Sequence, residues 1–306
     1  MSNLQNIDII TIIGATAGGK TAVATNLAYN IGAEIISADS RQVYRGMNIG
    51  TGKDLSEYVV NGKQIPYHLI DIVDAGYKYN VFEYQKDFLK TYNALKGNPI
   101  ILCGGSGMYV DAVINGYNLL PVPPNDELRA QLEQKSQKEL VEMLSSMKYT
   151  HNKTDLDSKK RTIRAIEIEL YTKENNIESF EYPHIRNIYF EIRFDRDTRR
   201  QRITERLINR LNNGMIEEVE TLINNGLTLD DLLFYGLEYK YIGLYLHNKI
   251  NYDEMVQQLN IAIHHFAKRQ MTWFRGMERK GAVINAIDGN SPLGCIVEEI
   301  QKKLQD

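Results

Sequence analysis

With 306 residues, 43% of them hydrophobic and 25% charged, the chain has an ordinary globular composition: room for about two domains, and too apolar for a disordered chain. Lysine and arginine number 36 against 39 aspartates and glutamates, a net charge of −3, so any surface for a polyanion must be local. Two cysteines, Cys103 and Cys295, exclude a disulfide framework and an all-cysteine metal site, and a reducing compartment is the simplest setting. The N-terminus MSNLQNIDIITIIGATAGGK has no basic leader region, and its apolar run is far short of the ~20 residues of a membrane span, so the expectation is a cytoplasmic chain without a membrane segment.

In chain order, Ile7 to Gly14 is a β-branched apolar run that stops at glycine. Thr21 to Gly32 then carries helix-spaced apolar residues ending at Gly32 as C-cap. Ala33 to Asp39 and Asn98 to Gly105 are continuous apolar runs of the kind that buried parallel strands show. The layout predicts a doubly wound α/β sheet. From Pro121 the character changes: PVPPND marks a boundary, Asn125 or Asp126 is the expected cap, and the stretch to Met147 runs with helical spacing. Asn187 to Phe194 is a fourth strand, followed by an arginine-rich helix over 198–212 and a second helix ending at Gly226. A long helix over 253–275, a fifth strand over 281–288 and a closing helix complete the chain, with no internal repeat.

Gly14-Ala15-Thr16-Ala17-Gly18-Gly19-Lys20-Thr21 satisfies G-x-x-x-x-G-K-[ST] between a predicted strand and a predicted helix. In such a loop backbone N–H groups turn toward an anion and the helix N-terminus adds positive potential. Lys20 reaches phosphoryl oxygens, and the Thr21 hydroxyl can ligate Mg²⁺. The loop reports a phosphate-bearing ligand and leaves its identity open. Asp39, ending the second strand at the carboxyl edge of the sheet, is a base or a metal partner, or else caps a turn with Ser40. The run His68 to Asp74 offers further acids, which suit an edge strand as well as a metal site.

Several motifs together resemble the tRNA dimethylallyltransferase (tRNA isopentenyltransferase) family, bacterial type. They are GATAGGKT at 14–21, ISADSRQVYRGMNIGTGK at 35–53, HLIDI at 68–72, GGSGMYVDAVINGY at 104–117, KKRTIRAIEI at 159–168 and AKRQMTWFR at 267–275. The resemblance implies a P-loop NTPase-like α/β fold, a parallel sheet with helices on both faces, interrupted by helical tRNA-binding insertions. On that reading 1–120, 186–200 and 262–306 form the catalytic core, and 121–185 and 201–261 the insertions.

The implied activity moves a dimethylallyl group from dimethylallyl diphosphate, held with Mg²⁺, to N6 of the adenosine 3′ of the anticodon in tRNAs that read codons beginning with U. Gly14, Ala15, Thr16, Ala17, Gly18, Gly19, Lys20 and Thr21 would bind the diphosphate, and Thr21 the metal. Asp39 would be the general base, with Ser106 and Arg269 completing the catalytic set. Asp39, Ser40, Arg41, Gln42, Val43, Lys160, Arg161 and Arg164 match the family's tRNA-contacting segments. Ser106 stands where the family usually has threonine and keeps the hydroxyl. His264 replaces a customary arginine, which puts one anion contact in doubt.

Spacing of three and four residues places Arg199, Arg202 and Arg206 on one helical face, suited to RNA phosphates or to pairing with neighbouring acids. Trp273 fits a core position better than a stacking platform. The two cysteines cannot make the zinc finger that eukaryotic relatives often append, and a monomer is expected. The competing readings are an adenylate dimethylallyltransferase, a P-loop small-molecule kinase, and a non-catalytic P-loop RNA-binding protein.

Overall fold

The computed structural model describes residues 7–147, 156–175 and 181–305; the opening MSNLQN, part of the stretch read for a leader, lies outside them. The chain divides into two compact units, Met1–Gly116 with His184–Asp306, and Tyr117–Pro183.

In the larger unit β1 (Ile9–Ile13) leads through the glycine loop into α1 (Lys20–Ile31). Gly32, at φ 68, closes this helix with its N–H on Ala28 O. Val23, Ala24, Leu27 and Ala28 recur at helical spacing and are buried, so α1 is held by one apolar face. β2 (Glu34–Ser37) follows, then a small hairpin, β3 (Val59–Val60) and β4 (Lys63–Gln64), and the two-residue β5 (Tyr67–His68). The strand anticipated over His68 to Asp74 ends after His68, because Leu69 (φ 60) and Asp71 (φ 55) adopt left-handed backbone. Asp71 there is the ion-pair partner of the buried Lys53.

α2 (Val81–Ala94) starts on an Asn80–Glu83 capping box, β6 (Ile100–Gly104) returns to the sheet, and α3 (Gly107–Ile114) leaves it. The six-stranded sheet is wholly parallel in the order β5-β2-β6-β1-β7-β8, with β7 at Asn187–Arg193 and β8 at Ile284–Asp288. Ile10, Ile12, Ile35, Ile101 and Phe190 share one apolar cluster with Val23 and Leu27 of α1 and with Ile296, Val297 and Ile300 near the C-terminus. Ile9, Thr11 and Ile13 alternate to the opposite face and are buried too, which is why the strand reads as an unbroken apolar run.

Successive connections leave β1 and β6 in opposite directions, and the register pairs Ile13 with Gly104. The loops after these two strands therefore lie side by side at the carboxyl edge, the switch point where open α/β sheets bind ligands.

The smaller unit contains α4 (Asp126–Glu133), α5 (Gln137–Met147) and α6 (Lys159–Asn175) around Leu132, Leu140, Leu144, Ile163 and Ile166. Asn125 is the cap of α4, its side chain accepting Leu128 N–H. The helical spacing read through to Met147 is broken between α4 and α5. Ser136 and Glu139 form a reciprocal cap, Ser136 N–H donating to the Glu139 carboxylate at 2.8 Å and Glu139 N–H to Ser136 Oγ at 3.3 Å, which starts a new helix.

In the larger unit, Asp195 caps α7 (Arg196–Asn212), followed by α8 (Met215–Asn224), α9 (Leu229–Tyr235), α10 (Leu237–Leu246), the long α11 (Tyr252–Arg279) and α12 (Leu293–Lys303). Among the described residues no helix is long and apolar enough to cross a membrane.

Candidate active site

After β1 the chain turns through Gly14 (φ 152), Ala17 (φ 61) and Gly19 (φ 67). A side chain at Gly14 would stand 2.9 Å from Ile192 O, so only glycine fits beside β7. Ala17 occupies a left-handed conformation that costs a non-glycine residue roughly 1–2 kcal/mol, and its carbonyl is held by Arg202 Nε at 3.0 Å. Gln270 of α11 fastens the loop from above. Its Oε1 accepts Thr16 N–H at 2.8 Å while its Nε2 donates to Gly105 O at 2.8 Å, tying the loops after β1 and β6 to one side chain. Side chains at Gly104 or Gly105 would strike Ala38 O or Gln270, and one at Gly107 would collide with Trp273. Close backbone and helix contacts thus account for the glycines of GGSG.

A cavity of about 210 Å³ opens on the phosphate loop. It is lined by Thr16 to Thr21, Asp39, Gln42, Asp54, Glu57, Arg202, Arg206 and Gln270. Lys20 Nζ donates to Ala15 O at 3.0 Å; burial lowers its pKa, and the neighbouring Cys103 and Asp39 oppose that shift. Arg206 donates to Thr16 Oγ1, and burial, reinforced by Arg210, pulls its pKa down to about 10. A desolvated cation of this kind favours an incoming anion. Burial and the nearby Asp54 raise the Glu57 pKa, against Arg206, Arg210 and a hydrogen bond from the Thr21 hydroxyl. Hard oxygens of Thr21, Asp54, Glu57 and Asp39 line this one chamber. Among the described residues no group of three or more acidic, histidine or cysteine side chains is arranged to hold a metal alone. An ion here would need phosphate oxygens to complete its shell, which is how Mg²⁺ is usually bound.

A second cavity, of about 270 Å³, adjoins the first and shares Thr16, Asp39, Thr51, Arg206 and Phe266 with it. Its further lining includes Ser40, Arg41, Ser106, Arg210, Glu238, Tyr239 and Arg269. Asp39 therefore stands in the wall common to both, with Oδ1 accepting Arg41 N–H at 2.9 Å; it makes the turn contact and faces the chambers as well. Ser106 Oγ accepts Ser40 N–H at 3.2 Å. Burial raises the Glu238 pKa, with Arg210 and Arg206 opposing.

The expected site residues distribute as follows. The loop 14–21, Asp39 and Gln42 meet around the first chamber, and Ser40, Arg41, Ser106 and Arg269 around the second, where the Arg269 guanidinium lies 5.8 Å from the Phe266 ring centre. Val43 is fully buried, and its carbonyl accepts Ile72 N–H at 2.8 Å. His264 lines neither chamber; it sits 3.4 Å from Thr204 Oγ1 on α7. Arg202 and Arg206 buttress the phosphate loop, a role their helical spacing did not reveal, whereas Arg199 turns to Phe194 O. Trp273 is half-buried against Gly107. Gln270 was visible only as part of AKRQ, and Arg210 and Glu57 carried no sequence signal.

In the smaller unit Lys160 and Arg161 are exposed, Arg161 lying 3.4 Å from Asp157. Arg164 is committed internally to Glu167 and, at 2.8 Å, to Val122 O. Glu167 is 2% exposed and also receives Arg129 Nε at 2.9 Å, Arg129 Nη2 at 2.8 Å and Asn125 N–H at 2.6 Å. Burial acts to raise its pKa, but these donors outweigh it and hold the carboxylate below the ordinary range.

The model of the IPP transferase family matches residues 42–277. tRNA dimethylallyltransferase 2 of Bacteroides fragilis is 53% identical over 305 residues, covering 99% of this chain and 100% of its own length. tRNA dimethylallyltransferase 1 of Parabacteroides distasonis is 55% identical over 291 residues, covering 94% and 95%. Among solved structures, the full-length tRNA isopentenylpyrophosphate transferase of Bacillus halodurans superposes with a TM-score of 0.69 at 29% identity, covering 97% of this chain and 96% of that one. A eukaryotic dimethylallyltransferase acting on tRNA shares the fold, with a TM-score of 0.73 at 20% identity over 92% of this chain and 73% of that one. A P-loop sheet whose phosphate loop opens onto a second, arginine-lined chamber, matched over most of its length by these relatives, places the chain in the IPP transferase family, among the tRNA dimethylallyltransferases of bacteria.

Proposed function

We propose that the chain transfers a dimethylallyl group from dimethylallyl diphosphate to N6 of the adenosine 3′ of the anticodon in tRNAs reading codons that begin with U. The observation that carries this reading is the position of Asp39 in the wall between a phosphate chamber and a second cavity. A donor diphosphate in the first and an adenine turned out of its loop into the second would meet at this carboxylate.

The N6 lone pair is delocalised into the ring, so the amine is a weak nucleophile and gains from a base that takes its proton as bonding proceeds. N6 forms its bond to the allylic carbon, the carbon–oxygen bond breaks with its electron pair leaving on diphosphate, and the N6 proton passes to Asp39. Charge developing on the leaving group meets Lys20, Arg206 and the amides at the start of α1, fixed donors worth on the order of 3–4 kcal/mol each. Mg²⁺ held by Thr21 with phosphate oxygens would supply further neutralisation of the diphosphate. Arg269 and Ser106, at the second chamber, are placed to hold the junction between donor and acceptor. We further propose a monomeric working unit and, because its substrate is tRNA, a cytoplasmic location.

The decisive experiment presents undermodified tRNA or AMP with dimethylallyl diphosphate and Mg²⁺, and in parallel labelled ATP, to the purified protein. Prenylated tRNA is expected, with no prenylated AMP and no phosphoryl transfer. Asp39→Asn should lower kcat by about 10²–10⁴-fold while tRNA binding persists. Prenylation of AMP alone would sink the proposal, as would full turnover by the variant.

A further inference from the structure

Glu218, on α8, belongs to neither chamber, yet its carboxylate gathers four donors. Oε2 accepts the N–H groups of Asn48 at 2.8 Å and Ile49 at 2.7 Å, while Oε1 accepts Gly50 N–H at 3.0 Å and the Tyr239 hydroxyl at 2.8 Å. Three consecutive amides converging on one carboxylate make a strong, charge-assisted anchor. The segment they fix runs directly into Thr51, which lines both chambers, and Gly52, which lines the first.

Tyr239 in turn lines the second chamber from α10, and its ring leaves no room for a side chain at Gly50, whose Cβ would lie 2.7 Å from the ring. Burial, then Glu218 itself, drives the Tyr239 pKa well up, so this phenol remains a donor. The far end of the segment is pinned separately. Lys53 Nζ donates to Tyr44 O at 2.7 Å and to Asn48 Oδ1 at 3.2 Å, and Gln42 Nε2 donates to Gly52 O at 3.2 Å.

We infer that Glu218 is a positioning residue for the transfer reaction: one carboxylate sets the 48–52 wall and the Tyr239 wall of the site in register, and so fixes the gap across which donor and acceptor meet. The inference rests on the activity proposed above. A wall displaced by an ångström degrades alignment of the reacting atoms and lowers kcat, with little effect on contacts made by tRNA elsewhere.

The test combines hydrogen exchange with prenyl-transfer kinetics on the full chain. In Glu218→Ala the amides of Asn48, Ile49 and Gly50 should exchange faster. kcat should fall by about 10- to 100-fold with KM for tRNA within about threefold. Glu218→Gln, which keeps the volume and part of the acceptor set, should restore much of the rate, and Tyr239→Phe should lose only about threefold. Should Glu218→Ala not fold, Glu218→Gln and Tyr239→Phe carry the same ordering.

Unchanged exchange at 48–50 would overturn the clamp. Faster exchange with an unaltered kcat, or a lowered melting temperature with normal turnover per folded molecule, would overturn its positioning role. If the parent chain itself transfers no prenyl group, the activity reading fails, while the exchange data still decide whether the clamp exists.

Discussion

The basic helices α6 and α7 use their arginines in opposite ways. On α6, Arg164 is spent internally: together with Arg129 it surrounds Glu167, whose carboxylate offsets part of their charge inside the smaller unit. On α7, Arg202 and Arg206 reach carbonyl and hydroxyl oxygens of the phosphate loop. Arg210 is buried over Gly52, and none of the three has a carboxylate within ion-pair distance among the described residues. Arg202 is exposed, but Arg206 and Arg210, with Glu238 and other carboxylates near them only beyond ion-pair distance, keep much of their charge available to an arriving anion. The partner inventory of an arginine, more than its spacing on a helix, separates a structural cation from one waiting for substrate.

Breaking the α7 side of this contrast should have the largest effect. Arg206→Ala removes a half-buried donor beside the phosphate loop, and kcat/KM for the prenyl donor should fall by about 10²–10³-fold. Single-turnover kinetics would measure this, with an unchanged circular dichroism spectrum as the control; a loss under threefold would show that the guanidinium is merely packing.

On the α6 side the expected loss is one of stability. Glu167→Ala strands two guanidiniums and the Asn125 amide, at about 2–3 kcal/mol, seen as faster hydrogen exchange in α4 and α6. Because the folded pKa of Glu167 lies below its unfolded value near 4.3, its stabilisation is complete above about pH 4.3 and is lost as pH falls through the folded value. Protection factors in α4 and α6 that do not fall as pH drops below about 4.3 in the parent would count against that assignment.

The smallest effects should come from Lys160 and Arg161, exposed on the same helix. Replacing both with alanine should leave stability within about 0.5 kcal/mol. If they meet tRNA phosphates, affinity should weaken several-fold and the slope of log affinity against log salt should flatten by about 1–2. An unaltered salt slope would remove them from the tRNA surface.

The elements legible in advance were those with a local cause. Five strands, the phosphate loop, the Gly32 cap, the Asn125 cap and the long α11 all follow from periodicity and capping chemistry within a few residues of themselves. The interruption between α4 and α5 was also written locally, in S-x-x-E at Ser136 and Glu139, but helical spacing on both sides concealed it. The functions of Gln270, Arg206 and Glu218 could not be read this way. Each acts on backbone or a hydroxyl more than 160 residues away in sequence, at positions where no local pattern marks the partner. Asp39 was legible as a strand-end acid, but its place between two chambers depends on α7, α10 and α11.

The Gln270 contact also has a consequence for biosynthesis. The phosphate loop emerges among the earliest residues, yet the side chain that fixes Thr16 follows 254 positions later, and β7, the neighbour of β1, pairs through Asn187 and beyond. At roughly 5–20 residues per second of translation, the nascent loop spends on the order of 13–50 s without that tether. During this interval a ribosome-bound fragment lacks the Gln270 tether, so full diphosphate affinity should emerge only as α11 clears the exit tunnel.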